Sequence, residues 1–214
     1  MPIYNLVDRV LGEFDTALRT MLPPPHREST RPVPGETVDE KYTLTEREKK
    51  EVAGLMRVNH AGEVCAQALY QGQALTAKLT CVKEQMTQAA EEEIEHLAWC
   101  EQRLRELDSR PSVLNPFWYI GSLLIGAAAG IAGDRWSLGF VAETERQVST
   151  HLRRHMEKIP EQDERTRHIL EQMHEDETHH AEAAKNAGAA ELPKALKNLM
   201  GMVSKLMTKT SYYL

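Results

Sequence analysis

The sequence predicts an all-α fold: a four-helix bundle with a long apolar crossover between its halves and an amphipathic helix at either end. Three observations carry that expectation. Ala, Leu, Glu, Gln and Met are abundant, β-branched residues are sparse and only 6% of the chain is aromatic, a composition that disfavours sheet. Apolar residues across 45–185 recur at three- and four-residue spacing rather than alternating, which is the helical period. Finally, a glutamate followed about thirty residues later by Glu-x-x-His occurs twice.

With 214 residues the chain is long enough for one globular domain with a real core. Its 26 Lys and Arg against 32 Asp and Glu give a formal charge of −6, which argues against nucleic acid as a partner because phosphate neutralisation needs clustered basic residues. Cys65, Cys81 and Cys100 are odd in number and form no C-x-x-C pair, so neither a disulfide framework nor a zinc knuckle is expected. Cys65 and Cys100 read as small buried hydrophobes.

Residues 1–22 are expected to form an amphipathic helix, because Ile3, Leu6, Val7, Val10, Leu11, Phe14, Leu18 and Met21 recur at helical spacing. The lack of a charged start followed by an apolar run argues against a secretory signal, and Asp8, Glu13 and Asp15 argue against an acid-poor transit peptide. Residues 23–44 hold Pro23, Pro24, Pro25, Pro32 and Pro34 and read as an extended linker. Residues 45–190 form the expected bundle, broken at Asp108–Pro116 and near Pro160.

The repeated pattern tests that layout. In an antiparallel helical hairpin, residues at one height lie about equally far from the turn. The midpoint of Glu63 and Glu93 is Lys78, just before a candidate Thr80 cap; that of Glu145 and Glu177 is Glu161, beside Pro160 and an Asp163 cap. Both pairs can therefore meet at one level.

The crossover, 111–133, contains no charged residue. Asn115-Pro116 resembles an N-cap followed by proline. From there to Gly130 is about 22 Å of helix, short of a ~30 Å hydrocarbon core, so a spanning helix is disfavoured. Gly126-Ala-Ala-Ala-Gly130 is a small-xxx-small face that admits another helix, whereas Phe117, Trp118 and Tyr119 are residue types found at membrane interfaces. A buried crossover and insertion into a membrane surface both remain open. Residues 191–214 form a basic amphipathic helix and tail: Leu196, Leu199, Met200, Val203, Leu206 and Met207 share a side, with Lys194, Lys197, Lys205 and Lys209 around them. Packing on the bundle is favoured slightly over lying on an anionic membrane.

The site is read from the glutamates. Glu63, Glu93, Glu145 and Glu177 each occupy a position inside an apolar helical stripe without a Lys or Arg. Buried carboxylates need a cation or paired bases. One Glu from each of two helices plus a Glu-x-x-His from each of the other two is the ligand pattern of ferritin-like di-iron and di-manganese bundles. Four carboxylates match the charge of two divalent ions, and the oxygen-rich set with His96 and His180 suits iron or manganese. Glu92 and Asp176 precede the two motifs and are placed to accept hydrogen bonds from ligand imidazoles, though surface charge is an equal alternative for each. Glu95 reads as solvated or as an outer contact. His60 stands one turn before Glu63, in reverse order; His26, His155, His168 and His174 are expected to face solvent.

At these residues the sequence resembles the demethoxyubiquinone hydroxylase family of ubiquinone biosynthesis, its bacterial members most closely. The resemblance rests on R-V-N-H-A-G-E at Arg57–Glu63, Y-Q-G-Q at Tyr70–Gln73, E-I-E-H at Glu93–His96, F-V-A-E-T-E-R-Q-V-S-T-H-L at Phe140–Leu152 and D-E-T-H-H-A at Asp176–Ala181, and it covers nearly the whole chain. Asn59 and Cys65 depart from the family's common Asp and Gly. The resemblance implies a ferritin-like fold and an O2-dependent monooxygenase with two iron ions that hydroxylates a polyprenyl methoxy-benzoquinol. It also implies peripheral attachment to the cytoplasmic side of the bacterial inner membrane. Glu63 and Glu145 would be terminal ligands, Glu93 and Glu177 bridging ligands, and His96 and His180 one imidazole per iron, surrounded by Glu92, Asp176, His151 and Tyr70. NADH, bound quinol and a reductase remain open as electron donors, as do a homo-oligomer and a biosynthetic complex. A ferroxidase or peroxidase on the same ligands, and a non-enzymatic metal- or quinone-binding bundle, are the alternatives.

Overall fold

The computed structural model describes residues 6–38 and 43–214; Ile3, and the side chains of Leu6, Val7 and Val10, lie outside the described set. Seven helices and no strand are present among the described residues: α1 (Leu6–Met21), α2 (Glu46–Thr76), α3 (Thr80–Glu106), α4 (Asn115–Ala132), α5 (Asp134–Met156), α6 (Glu164–Asn186) and α7 (Lys194–Ser211). The expected all-α bundle is α2, α3, α5 and α6, two antiparallel hairpins face to face. Thr45 opens α2 with a capping box, its side chain accepting from Glu48 N while Glu48 reaches back. Asp163 caps α6 by accepting from Thr166 N at 2.9 Å, as its position before the helix predicts.

Two caps differ from expectation. Thr80 does not cap α3; Asp134 at the start of α5 accepts from Lys78 N and Leu79 N at 3.0 and 2.9 Å, a partner invisible to local sequence. Asn115 lies inside α4 rather than capping it, and its side chain turns inward to His60.

Of three apolar clusters in the core, one (Val64, Ala68, Leu97 and Tyr119) ties α2 and α3 to α4, and the other two lie within the bundle. One joins Leu55 and Met56 of α2, Trp99 and Leu104 of α3, Leu152 of α5 and Met173 of α6. The other joins Ala66 and Tyr70, Met86 and Ala89, Leu138 and Val141, and Ala184 from the same four helices. Glu63, Glu93, Glu145 and Glu177 each fall between the two clusters along their own helix. A polar layer thus lies at mid-height, sealed at both ends by hydrocarbon.

The crossover α4 packs along α2. A Cβ added at Gly72 would strike the Leu123 carbonyl, and one added at Gly126 the Leu69 carbonyl, so the small-xxx-small face does let two backbones meet. α4 runs 18 residues, about 27 Å, and is long and apolar enough by composition to cross a membrane. Its inner face buries Tyr119, Gly126 and Gly130, while Phe117, Ile120, Leu124 and Ile131 on the outer face are exposed. Neither simple reading of the crossover describes it: one stripe is core and the other is bare hydrocarbon.

The tail corrects an expectation. Rather than burying its apolar side, α7 leaves Leu199, Met202, Val203 and Leu206 exposed, and only Ser211 among its residues is buried. It is held at its C-terminal end, where Trp118 Nε1 donates to Ser211 Oγ at 3.0 Å and Arg57 to the Tyr212 carbonyl at 2.6 Å. At the opposite end of the chain, α1 is anchored by Gln71, which donates to the Glu13 carbonyl at 3.0 Å, and leaves Leu11 and Phe14 exposed.

The segment 23–38 is a strap across the bundle. Arg27 is buried and donates to Glu101 at 2.8 and 3.0 Å. The backbone of Thr30 and Arg31 and the hydroxyl of Thr30 donate to Glu95 at 2.9, 3.2 and 2.8 Å, and Ser29 adds a further bond. Glu95, expected to be solvated or to touch a ligand from outside, is instead buried under this segment.

Candidate metal centre

The four stripe glutamates converge. Glu63, Glu93, Glu145 and Glu177 are at most 1% exposed, and ligand atoms of Glu63, Glu93, His96 and Glu177 lie within 4.8 Å of one another. His96 Nδ1 is 3.1 Å from Glu93, 3.1 Å from Glu177 and 3.7 Å from Glu63. His180 Nδ1 is 3.3 Å from Glu177 and 3.6 Å from Glu93. Glu93 and Glu177 therefore face both imidazoles, while Glu63 approaches one half. Glu145 completes the other, accepting a hydrogen bond from Tyr70 at 2.6 Å.

Both imidazoles turn the same nitrogen inward because each Nε2 is held from outside. His96 Nε2 pairs with Asp176 at 3.0 Å, and His180 Nε2 with Glu92 at 2.6 Å. The pairing is crossed: the acid preceding one motif orients the histidine of the other. An outer carboxylate that takes the Nε2 proton fixes the tautomer and leaves Nδ1 as a lone-pair donor.

This oxygen-rich, buried donor set could hold a hard metal ion. Glu63 Oε1 and Oε2, Glu93 Oε1 and Glu145 Oε2 are buried without a hydrogen-bond partner, and the ion pairs reaching these carboxylates come from the two imidazoles. Burial of carboxylates without compensation is strongly unfavourable. In the metal-free chain, protons offset it. Burial and repulsion from Glu177 drive Glu93 well above the usual carboxylate range, and burial with Glu177 and Glu93 does the same to Glu145. Burial opposes charge on the histidines, but the surrounding acids prevail: His96 is raised well above its ordinary value and His180 to about 9. A cation held in the pocket would take the place of these protons.

Other expected residues sit as follows. His60 is fully buried but faces away from the cluster, its Nε2 3.2 Å from Glu101 and its Nδ1 3.2 Å from the Asn115 amide. His179 is exposed beside buried His180. His26 and His168 face solvent, but His174 is half-buried beside Ser149 at 3.2 Å. Cys100 is buried as expected, whereas Cys65 is only half-buried.

His155 is the clearest reversal. It is 3% exposed, its ring lies 3.9 Å from that of half-buried His151, and its Nδ1 is 2.8 Å from Asn59 Oδ1. Burial and then the His151 ring push it down to about 3, and burial with Lys158 pushes His151 to about 4. A histidine kept neutral by folding binds a proton more readily when unfolded, so stability falls as pH drops from about 6.5 towards these values. His155→Gln is expected to flatten the acid limb of a melting-temperature curve between pH 6.5 and 4. A limb of unchanged slope would contradict that assignment. The signal was present in its spacing, three residues after Leu152 and four before Ile159, both buried.

Sequence reasoning missed Arg31 and Trp99. Arg31 binds Asp176 at 2.8 and 3.4 Å and stacks over Trp99 at 4.8 Å, and Trp99 lies 5.3 Å from the His96 ring. Trp99, three residues after His96 on an apolar stripe, was recoverable from spacing; Arg31, in a segment without periodicity, was not.

The family model for ubiquinone biosynthesis protein COQ7 matches residues 50–211. The chain belongs to this family. The 3-demethoxyubiquinol 3-hydroxylase of Legionella pneumophila (strain Paris) is 61% identical over 210 residues, covering 98% of each chain. Proteins of the same name from Acinetobacter baylyi and Acinetobacter baumannii are 58% and 60% identical over 211 residues, covering 99% of each chain. The COQ7 match runs through all four bundle helices and so includes every residue of the carboxylate–imidazole cluster.

Proposed function

We propose that this chain is a 3-demethoxyubiquinol 3-hydroxylase, an O2-dependent monooxygenase that hydroxylates the ring of a polyprenyl methoxy-benzoquinol at a di-iron centre. The observation that carries the reading is the meeting of four buried carboxylates and two outward-tethered imidazoles, in a chain whose near full-length relatives carry that name. Glu63, Glu93, Glu145 and Glu177 with His96 and His180 would hold the two irons, Glu93 and Glu177 being the carboxylates that face both imidazoles. When bound, the iron pair supplies the reduction of O2 that the side chains cannot perform.

The chain's own groups do the positioning. Asp176 and Glu92 hold the two Nε2 protons and so aim Nδ1 inward. The Tyr70 hydroxyl donates to Glu145 and fixes one of its oxygens. Burial and the adjacent carboxylates raise Tyr70 well above its ordinary value, so it stays a donor. The apolar clusters above and below keep bulk water out of the polar layer. Overall, one oxygen atom enters the ring as a hydroxyl and the other leaves as water, using two electrons and two protons.

The substrate's prenyl chain gives the bare hydrocarbon a role. α1, α4 and α7 expose Leu11, Phe14, Phe117, Ile120, Leu124, Leu199, Met202 and Leu206, more apolar surface than scattered residues account for. Lys205 and Lys209 are exposed on α7 and suit an anionic leaflet. We read this face as peripheral attachment to the cytoplasmic side of the inner membrane, with α4 lying against α2 rather than spanning. Phe117→Ser combined with Ile120→Ser and Leu124→Ser, all at exposed positions, is expected to abolish flotation with anionic liposomes while leaving the melting temperature unchanged. Unaltered flotation would remove the membrane assignment.

The function itself is tested by loading the protein anaerobically with ferrous iron, adding a short-tailed demethoxyquinol and admitting O2. Hydroxylated product supports the proposal. Iron oxidation without product would make the chain a ferroxidase, and no redox change would make it a binding scaffold.

A further inference from the structure

The two halves of the cluster are built alike but are not closed alike. Each imidazole is tethered by an outer acid, yet Asp176 is 16% exposed and Glu92 36%, and the His96 side chain is fully buried while His180 is 7% exposed. Asp176 is gripped on both oxygens, by the Arg31 fork at 2.8 and 3.4 Å and by Gln172 at 3.0 Å. Among the described residues Glu92 receives only Gln88 at 3.1 Å besides its histidine; both outer acids line one open groove with Gln172, His179 and His180, so the halves differ in how firmly each acid is held there. Arg31 is itself pinned: its backbone and those of its neighbours are tied to buried Glu95, Arg27 is paired with buried Glu101, and its guanidinium rests on Trp99, which packs against His96.

Building on the di-iron reading, we propose that Arg31 is a positioning residue that locks the His96 half of the centre, so that the two metal ions are held unequally. A metal ion leaves when its imidazole rotates and the outer carboxylate moves with it. On the His180 side that carboxylate is free to swing into the groove. On the His96 side the planar, bidentate guanidinium fixes it, and the strap would have to peel from two buried acids first. The positive charge of Arg31 does not oppose the metal strongly, because it sits behind Asp176 and cancels that charge rather than facing the pocket.

The test follows ferrous iron leaving the anaerobically loaded full-length protein into a chromogenic chelator. The wild type is expected to release its two ions in two phases of equal amplitude, the second at least about tenfold slower. Arg31→Ala should accelerate only the slow phase, by about 10- to 100-fold, the range for losing an outer contact to a metal ligand. Arg31→Lys should restore part of the difference. Glu95→Ala frees the strap without touching Asp176 and should also accelerate the slow phase alone, which keeps the test open if Arg31→Ala fails to fold. Equal release of both ions from the wild type overturns the inference, as does an Arg31 or Glu95 variant that changes neither phase or both alike; the di-iron reading survives these outcomes. Loading of fewer than two ions per chain in the wild type overturns both.

Discussion

Glu177→Gln is expected to reduce hydroxylation at least about 100-fold, to leave the protein unable to retain two iron ions and to lower the melting temperature of its metal-free form. The carboxylate is 3.1 Å from His96 Nδ1 through one oxygen and 3.3 Å from His180 Nδ1 through the other. It is the group best placed to serve both halves at once. Loss of an outer contact to a ligand already weakens a metal site 10- to 100-fold, and an amide in place of a bridging anion removes more than that. Metal-free stability is expected to fall as well. Burial works against charge on Glu177, but the bonds from His180 and His96 hold its proton affinity well below the usual range, so in the metal-free protein it is the anion paired with the two raised imidazoles. An amide in its place strands their charge in a buried site. Iron content and a melting curve of the chelated protein measure both effects. Two retained irons with full turnover would contradict the ligand assignment, and an unchanged metal-free melting curve would contradict the pairing of Glu177 with the two imidazoles.

The largest stability effect is expected at Asp163→Ala. One oxygen of this fully buried carboxylate caps α6 through Thr166 N at 2.9 Å and pairs with Arg103 at 2.8 Å. A lost cap costs about 1 kcal/mol, and breaking a buried pair about 3–5 kcal/mol. Arg103 keeps its bonds to Glu106 and Thr166 at 3.0 and 2.9 Å, so it is not left unpaired and the loss falls below that sum, to about 3 kcal/mol. For a chain of this size that is roughly 6–12 °C in melting temperature. Denaturant unfolding of the metal-free variant measures it. A change under about 1 kcal/mol, within the range of ordinary surface pairs, would mean the pair contributes little.

The bundle and its polar layer were legible because both are periodic. Four glutamates on apolar stripes, at hairpin-compatible distances, specify helices, register and facing sides together, and Glu92 and Asp176 follow from standing next to the two motifs. Asp163 was legible as a cap because capping is local. What escaped has no period. Arg27 and Arg31 lie in a proline-rich segment, and their partners Glu101 and Asp176 are 74 and 145 residues away. Asp134 caps a helix end that precedes it by more than fifty residues, and Asn115 gives up a local cap for a tertiary bond to His60. Composition alone could not divide α4 into a packed and a bare stripe, because both are equally apolar; the glycines that choose the inner stripe do so by the closeness of α2. The exposed face of α7 likewise follows from where the chain is held, at Trp118 and Arg57, not from its own pattern.

Anomalous diffraction at the iron edge, from crystals loaded anaerobically with ferrous iron, tests the central claim most directly. Two peaks per chain are expected, one coordinated by His96 and Glu63, the other by His180 and Glu145, with Glu93 and Glu177 shared between them. A single peak, or iron bound outside these six residues, would contradict the account.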